Sequence, residues 1–197
     1  MFRFFLKITI LFLVLACSSP SHQEKLNVDT IIQRAIDSSG TQKFANAIVE
    51  FQFRDKTYRS IPICNGLKLQ REFKNDTSFV EDELHKAKKI EVNDSLANLY
   101  AESINSVHYF VQLPYRLKDE AVQMKLMGTE KDSTKEYFKI KVTFQQDGGG
   151  QDFEDVYYYW IDSTSYTISY LAYSFQVNGG GIRFRKASAY QKVNGIQ

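Results

Sequence analysis

The residues that could do chemistry are few, and most stand at the wrong spacing for it. Asp147, Asp152, Glu154 and Asp155 crowd the glycine-rich stretch "QDGGGQDFED". Carboxylates on a flexible loop can hold calcium, yet the ligand spacing of an EF-hand is missing. The lysine and hydroxyl of a phosphate-binding loop are missing too. The stretch reads as a solvated hairpin loop, and "NGGG" at 178–181 reads as a turn. His22, His85 and His108 share no metal-ligand spacing, although Asp82 and His85 would meet at i, i+3 on a helix. No serine occupies a nucleophile elbow, and Cys64 lacks the surroundings of a thiol protease. Nothing in this inventory supports an enzyme, a metal site or a cofactor. Arg183 and Arg185, two apart and so on one face of a strand, could pair with an anionic head group or with carboxylates on a neighbouring strand.

Cys17 is different. Arg3 and Lys7 form a positive start, and Ile8 to Ala16 form an apolar run broken only by Thr9. Such a run suits an export signal, which needs ~7–15 apolar residues, and is too short for a membrane span of ~20. Its end, Val14-Leu15-Ala16-Cys17, resembles the lipobox of bacterial lipoproteins. The resemblance implies that residues 1–16 are a signal peptide, cut before a cysteine that carries acyl chains. "SSPSHQEK" then reads as the tether, residues 17–26, and 27–197 as a single domain. Acyl chains contribute about 0.8 kcal/mol per buried methylene, so several make a firm anchor. The expected location is the cell envelope, as an outer-membrane lipoprotein facing the periplasm.

Removing residues 1–16 takes away two basic residues and no acidic one, leaving 23 of each sign. With no polybasic stripe, a nucleic-acid partner is not expected. With Cys17 acylated, Cys64 has no cysteine to pair with.

The elements that must position any site follow from periodicity. Val28, Ile31, Ile32, Ala35 and Ile36 recur at helical spacing, with Asn27 as N-cap and Gly40 as stop. From "NAIVEFQFRD" onward the period becomes two, with Val49, Phe51 and Phe53 on one face. "TYRSIPICNGLKLQREF" places Asn65-Gly66 as the turn of a hairpin, and Pro62 puts its strand at an edge or a bulge. "TSFVEDEL" and "AKKIEVND" read as further strands. A second helix fits 95–108, with Leu96, Leu99, Tyr100, Ser103, Ile104 and Val107 as its buried stripe. Strands resume with Val122, Met124 and Leu126, a pattern that Met127 disturbs, and with Phe138, Ile140, Val142 and Phe144. "VYYYWID", "TISYLAYSFQV" and "GIRFRKASAYQKV" complete the series.

This order predicts an α+β fold: one large curved antiparallel sheet of about ten strands with two helices on its concave face. The mature chain keeps 11 Phe, 12 Tyr and 1 Trp, mostly in strands. Two readings of these rings stand side by side. They fill a core, or they line a hollow that binds a lipid or other apolar ligand. Strand alternation selects Phe51, Phe53, Met124, Leu126, Phe138, Ile140, Val142, Tyr173 and Phe175 as the lining. A monomeric interaction module, with the hollow filled by its own helices, is the alternative.

At "SINSVHYFVQLPYRL", "YYYWID" and "GGIRFRKA" the chain resembles a family of uncharacterised Gram-negative envelope lipoproteins. The order of elements is also similar to the LolA and LolB lipoprotein-carrier superfamily. That resemblance implies an incomplete barrel with a helical lid that binds acyl chains; no ligand-contacting residue is carried over from it.

Overall fold

The computed structural model of the protein describes residues 26–64, 66–73, 76–83, 86–89, 94–147, 153–176 and 179–197. The first helix, α1 (Val28–Ser39), forms where its periodicity places it. Asn27 caps it, its side-chain oxygen accepting the Thr30 N–H at 2.8 Å, and Asp29 in the first turn faces the positive end of the helix dipole. Gly40 ends it at φ 73°, a left-handed conformation that costs an L side chain about 1–2 kcal/mol. Ile31, Ile32, Ala35 and Ile36 are buried.

Five strands follow: β1 (Val49–Phe53), β2 (Lys56–Ile63), β3 (Gly66–Phe73), β4 (Asp76–Glu83) and β5 (Lys86–Lys89). They pair antiparallel in sequence order as one sheet. Ile63 pairs with Gly66, so the hairpin closes one residue earlier than expected and Gly66 is already in β3. Pro62 lies beyond Ser60, where the pairing with β1 stops. Its missing N–H therefore falls on a locally open edge, as its chemistry requires.

After α2 (Asp94–Val111) come β6 (Val122–Lys131), β7 (Glu136–Phe144), β8 (Val156–Asp162), β9 (Ile168–Phe175) and β10 (Gly181–Lys186). These form a second antiparallel sheet, β10-β9-β8-β7-β6. The expectation of one large sheet is thus corrected to two sheets, neither closed. The 18-residue α2 divides them in sequence and packs between them in space. The disturbance at Met127 is a β-bulge: Leu126 pairs with Ile140 and Gly128 with Lys139, leaving Met127 unpaired. Two hairpin ends are closed by carboxylates. Asp132 accepts the backbone N–H of Thr134 and Lys135 and the Tyr137 hydroxyl, which holds it well below the usual carboxylate range. Burial would raise Asp162, but Lys135 and the N–H groups of Ser165 and Thr164 outweigh it and bring it to about 2.

The main core lies between the second sheet and the helices. Ile31, Ile32 and Ile36 of α1 and Tyr109 of α2 meet Phe138, Ile140, Val142, Tyr157, Tyr159 and Ile161. At its centre the Tyr109 and Tyr159 hydroxyls share a buried hydrogen bond of 2.9 Å. Residues 187–197 return to the end of α1. Gln197 N–H donates to Ser39 O at 2.9 Å, Lys43 Nζ donates to Asn194 O at 2.8 Å, and a Cβ on Gly40 would collide with the Gly195 carbonyl.

The other side of α2 is polar. The expected stripe is corrected in part: Ile104 is fully buried as expected, but Leu99 is 60% exposed and Ser103 is exposed, while Ala101, His108 and Gln112 are buried. The stripe rotates because it meets the first sheet through hydrogen bonds as well as through the Ile104–Leu69 contact. Arg71 donates to Ser103 Oγ at 2.8 Å and Gln112 to Ser60 Oγ at 2.8 Å. His108 Nε2–H donates to Gln70 O at 3.3 Å, with Phe51 and Tyr58 edge-on to its ring. Among the described residues, His108 Nδ1 has no hydrogen-bond partner. Burial, with Arg116 nearby, lowers the imidazole to about 4 despite the Gln70 bond.

Two outcomes follow for stability. Tyr109→Phe or Tyr159→Phe alone leaves a buried hydroxyl unpaired and should cost about 1–3 kcal/mol in urea unfolding. The double replacement should cost less than the sum of the two. For His108, the unfolded ring takes up its proton near pH 6.5 and the folded one only near pH 4. Stability is therefore full above pH 6.5 and should fall by about 3 kcal/mol as pH drops to 4. The Asp162 transition lies below that window. Urea midpoints at pH 7, 5.5 and 4.5 should show this slope in the native protein and a flatter one in His108→Phe.

Candidate functional site

Register fixes what each face of the second sheet presents. The inner face carries Met124, Val142, Tyr157, Tyr173 and Arg183 in one paired row, and Leu126, Ile140, Tyr159, Leu171 and Arg185 in the next. The outer face carries Lys141, Tyr158, Ala172 and Phe184 in one row, with Lys139, Trp160 and Tyr170 in another. Both faces of β8 bear rings, as alternation required. On the outer face Phe184 meets Trp160 edge-on and stacks on Tyr170, Lys139 lies over Trp160, and Trp160 Nε1 donates to Glu130 at 2.7 Å.

Most of the inner face is covered by the protein itself. Ile140, Val142, Tyr159 and Ile161 are fully buried. α1 crosses one end of the sheet, where Arg34 donates to the Tyr166 hydroxyl at 2.7 Å. Phe110 of α2 covers the other end and lies against Tyr157 and Tyr173. An opening survives at the β6 edge. A pocket of about 270 Å³ is lined by Asp29 and Ile32 of α1, by Leu117, Lys118 and Asp119 of the turn after α2, and by Val122 and Met124. Its wall is aliphatic and its rim mixes charges, with Lys118 donating to Gln33.

The expected lining is therefore dispersed. Met124 lines this pocket, with Leu126 next to it on β6 and packed on the core, whereas Phe138, Ile140 and Val142 lie beneath the helices. Phe51 belongs to the first sheet, stacked on Tyr58 at 5.3 Å, and Phe53 is 43% exposed. Tyr173 and Phe175 gather at the far edge with Arg183, which donates to the Tyr173 hydroxyl at 3.0 Å and lies 4.3 Å over the Phe175 ring. Arg185 donates to the Phe184 carbonyl. The arginines stand four strand spacings from the pocket, about 19 Å, and so outside it. Ile32 and Val122 read from the sequence as apolar positions of a helix and a strand but not as lining, and Leu117 was not singled out at all. Leu117, a lone apolar residue in the charged run "YRLKDE" and fully buried, carried the one available signal.

Cys17, His22, His85, Asn65 and Asp152 lie outside the described residues, as does the side chain of Asp82. Cys64 is exposed, Asp147 is exposed and Asp155 is buried. Among the described residues no three His, Cys, Asp or Glu side chains converge on a point, and no helix is long and apolar enough to cross a membrane.

No curated protein matches the chain. Among solved structures it is similar to a LolA superfamily protein from Nitrosomonas europaea, with 8% identity over 87% of this chain and 81% of that one and a TM-score of 0.42. It is also similar to the Mycobacterium tuberculosis lipoprotein LppX, with 13% identity over 85% of this chain and 99% of that one and a TM-score of 0.34. A family model matches residues 63–196, which spans β3, the whole second sheet and the returning C-terminal segment. That match covers more than half of the chain, and the protein belongs to this family, DUF6503, a family of unknown function.

Proposed function

We propose that the protein is a periplasm-facing envelope lipoprotein, anchored through acylated Cys17, whose domain takes an apolar chain in the pocket between α1 and β6. The single observation behind this reading is the pocket itself, with the aliphatic side chains of Ile32, Leu117, Val122 and Met124 in its wall. At about 270 Å³ it falls just under the ~300–1,000 Å³ of ordinary ligand sites. It therefore suits one acyl or isoprenoid chain rather than a whole two-chain lipid. On the rim Asp119 pairs with Arg116 and Lys118 is balanced by Asp29, so no surplus positive charge is offered to an anionic head there. The role is binding, and no reaction step is assigned to it.

A second reading, an envelope scaffold with no small ligand, draws on the complete burial of Ile140, Val142, Tyr159 and Ile161 under the protein's own helices. The mature chain carrying Cys17→Ser, purified without detergent and weighed by native mass spectrometry, separates the two. The expected result is an added mass that disappears on organic extraction. Met124→Trp should fill the pocket, keep the melting temperature within a few degrees, and reduce the ligand-bound fraction at least tenfold. A clean apo mass for the unaltered pocket favours the scaffold.

A further inference from the structure

The far edge of the second sheet stands apart from the pocket and is open to solvent. β10 is the terminal strand of its sheet, and every residue in it is exposed among the described residues. Its outward side chains include Ile182, 82% exposed, and Phe184, 57% exposed. Its inward side chains are Arg183 and Arg185, and among the described residues neither forms an ion pair with a carboxylate. The stretch of chain that carries them is one-sided in charge. Residues 163–197 contain no Asp or Glu, but carry Arg183, Arg185, Lys186 and Lys192.

We propose that the free edge of β10 takes an extended acidic segment of a protein partner as an added strand, with carboxylates opposite Arg183 and Arg185 and apolar side chains beside Ile182 and Phe184. Backbone groups on a free edge supply the affinity of strand addition, and alternate side chains supply its selectivity. The arrangement of β10 meets both needs at once. Its arginines project from one face of the sheet and its apolar residues from the other, two residues apart in each case. A planar anionic membrane would meet only one of these faces, whereas a strand lying in the edge meets both. A second copy of the chain is disfavoured by charge. Antiparallel pairing of two β10 strands centred on Phe184 sets Arg183 against Arg185 of the other copy, a like-charge cross-strand pair. Basic side chains on an edge thus guard it against self-pairing while leaving it open to an acidic strand. Arg183 is held ready, since the Tyr173 hydroxyl and the Phe175 ring fix its guanidinium.

The test uses the mature chain with Cys17→Ser and a synthetic acetylated peptide of four Glu-Val repeats, with binding followed by fluorescence anisotropy. A peptide of the same composition, with four Glu followed by four Val, serves as comparison. The alternating peptide should bind at least tenfold tighter than the block peptide. Of its two isomers N-methylated at alternate residues, one should lose that binding and one should keep it. Arg183→Glu with Arg185→Glu, both at exposed positions, should keep the melting temperature, lose the Glu-Val peptide at least tenfold, and gain a Lys-Val one. Equal binding of alternating and block peptides would overturn the proposal. So would binding unaffected by charge reversal, failure of the alternating peptide to bind, or binding of phosphatidylglycerol vesicles in place of it.

Discussion

The fold depends on one helix being buried on two sides at once. Neighbouring residues on α2 point about 100° apart, so His108 and Tyr109 face different sheets. Tyr109 closes the second sheet's core through the hydroxyl of Tyr159, while His108 seats against the first sheet at the Gln70 carbonyl. The two contacts differ in kind. The Tyr109 side is aromatic and aliphatic throughout, and the His108 side is sewn with Ser60, Arg71 and Gln112. Polar contacts of this sort contribute little net stability but are costly to leave half-made. They set where the helix sits more than how firmly it is held.

Legibility in the sequence follows the same division. α1 could be read outright, since the Asn27 cap, the Gly40 stop and the isoleucine spacing all agree. The strands of the second sheet could be read too, because Phe138, Ile140 and Val142 alternate against lysines, and even the bulge announced itself as the misfit at Met127. α2 could be found but not oriented. A search for an apolar stripe chooses Leu99 and passes over His108 and Gln112, because it assumes that buried means hydrophobic. Division into two sheets escaped for a related reason. Strand order within a meander is local, but where the meander breaks depends on how an intervening helix docks. The pocket draws on α1, the turn after α2 and β6, and no single stretch of chain shows that convergence.

Charge also partitions within the domain although the mature chain is formally neutral. The acidic residues stop at Asp162, and beyond it only basic ones occur. A net charge of zero thus conceals a basic end strand, and total composition says nothing about it. The two arginines were legible as a pair on one face; their place at an open edge, far from the pocket, belongs to the topology.

The clasp of residues 194–197 on residues 39–43 joins positions about 150 residues apart. A chain made from its N-terminus presents α1 long before the segment that locks it. Until then the end of α1 lacks its partners at Ser39 and Lys43, and closing so long a loop early is entropically unfavourable. Order of synthesis therefore leaves the end of α1 slack until residues 194–197 have been made, and only then can it tighten.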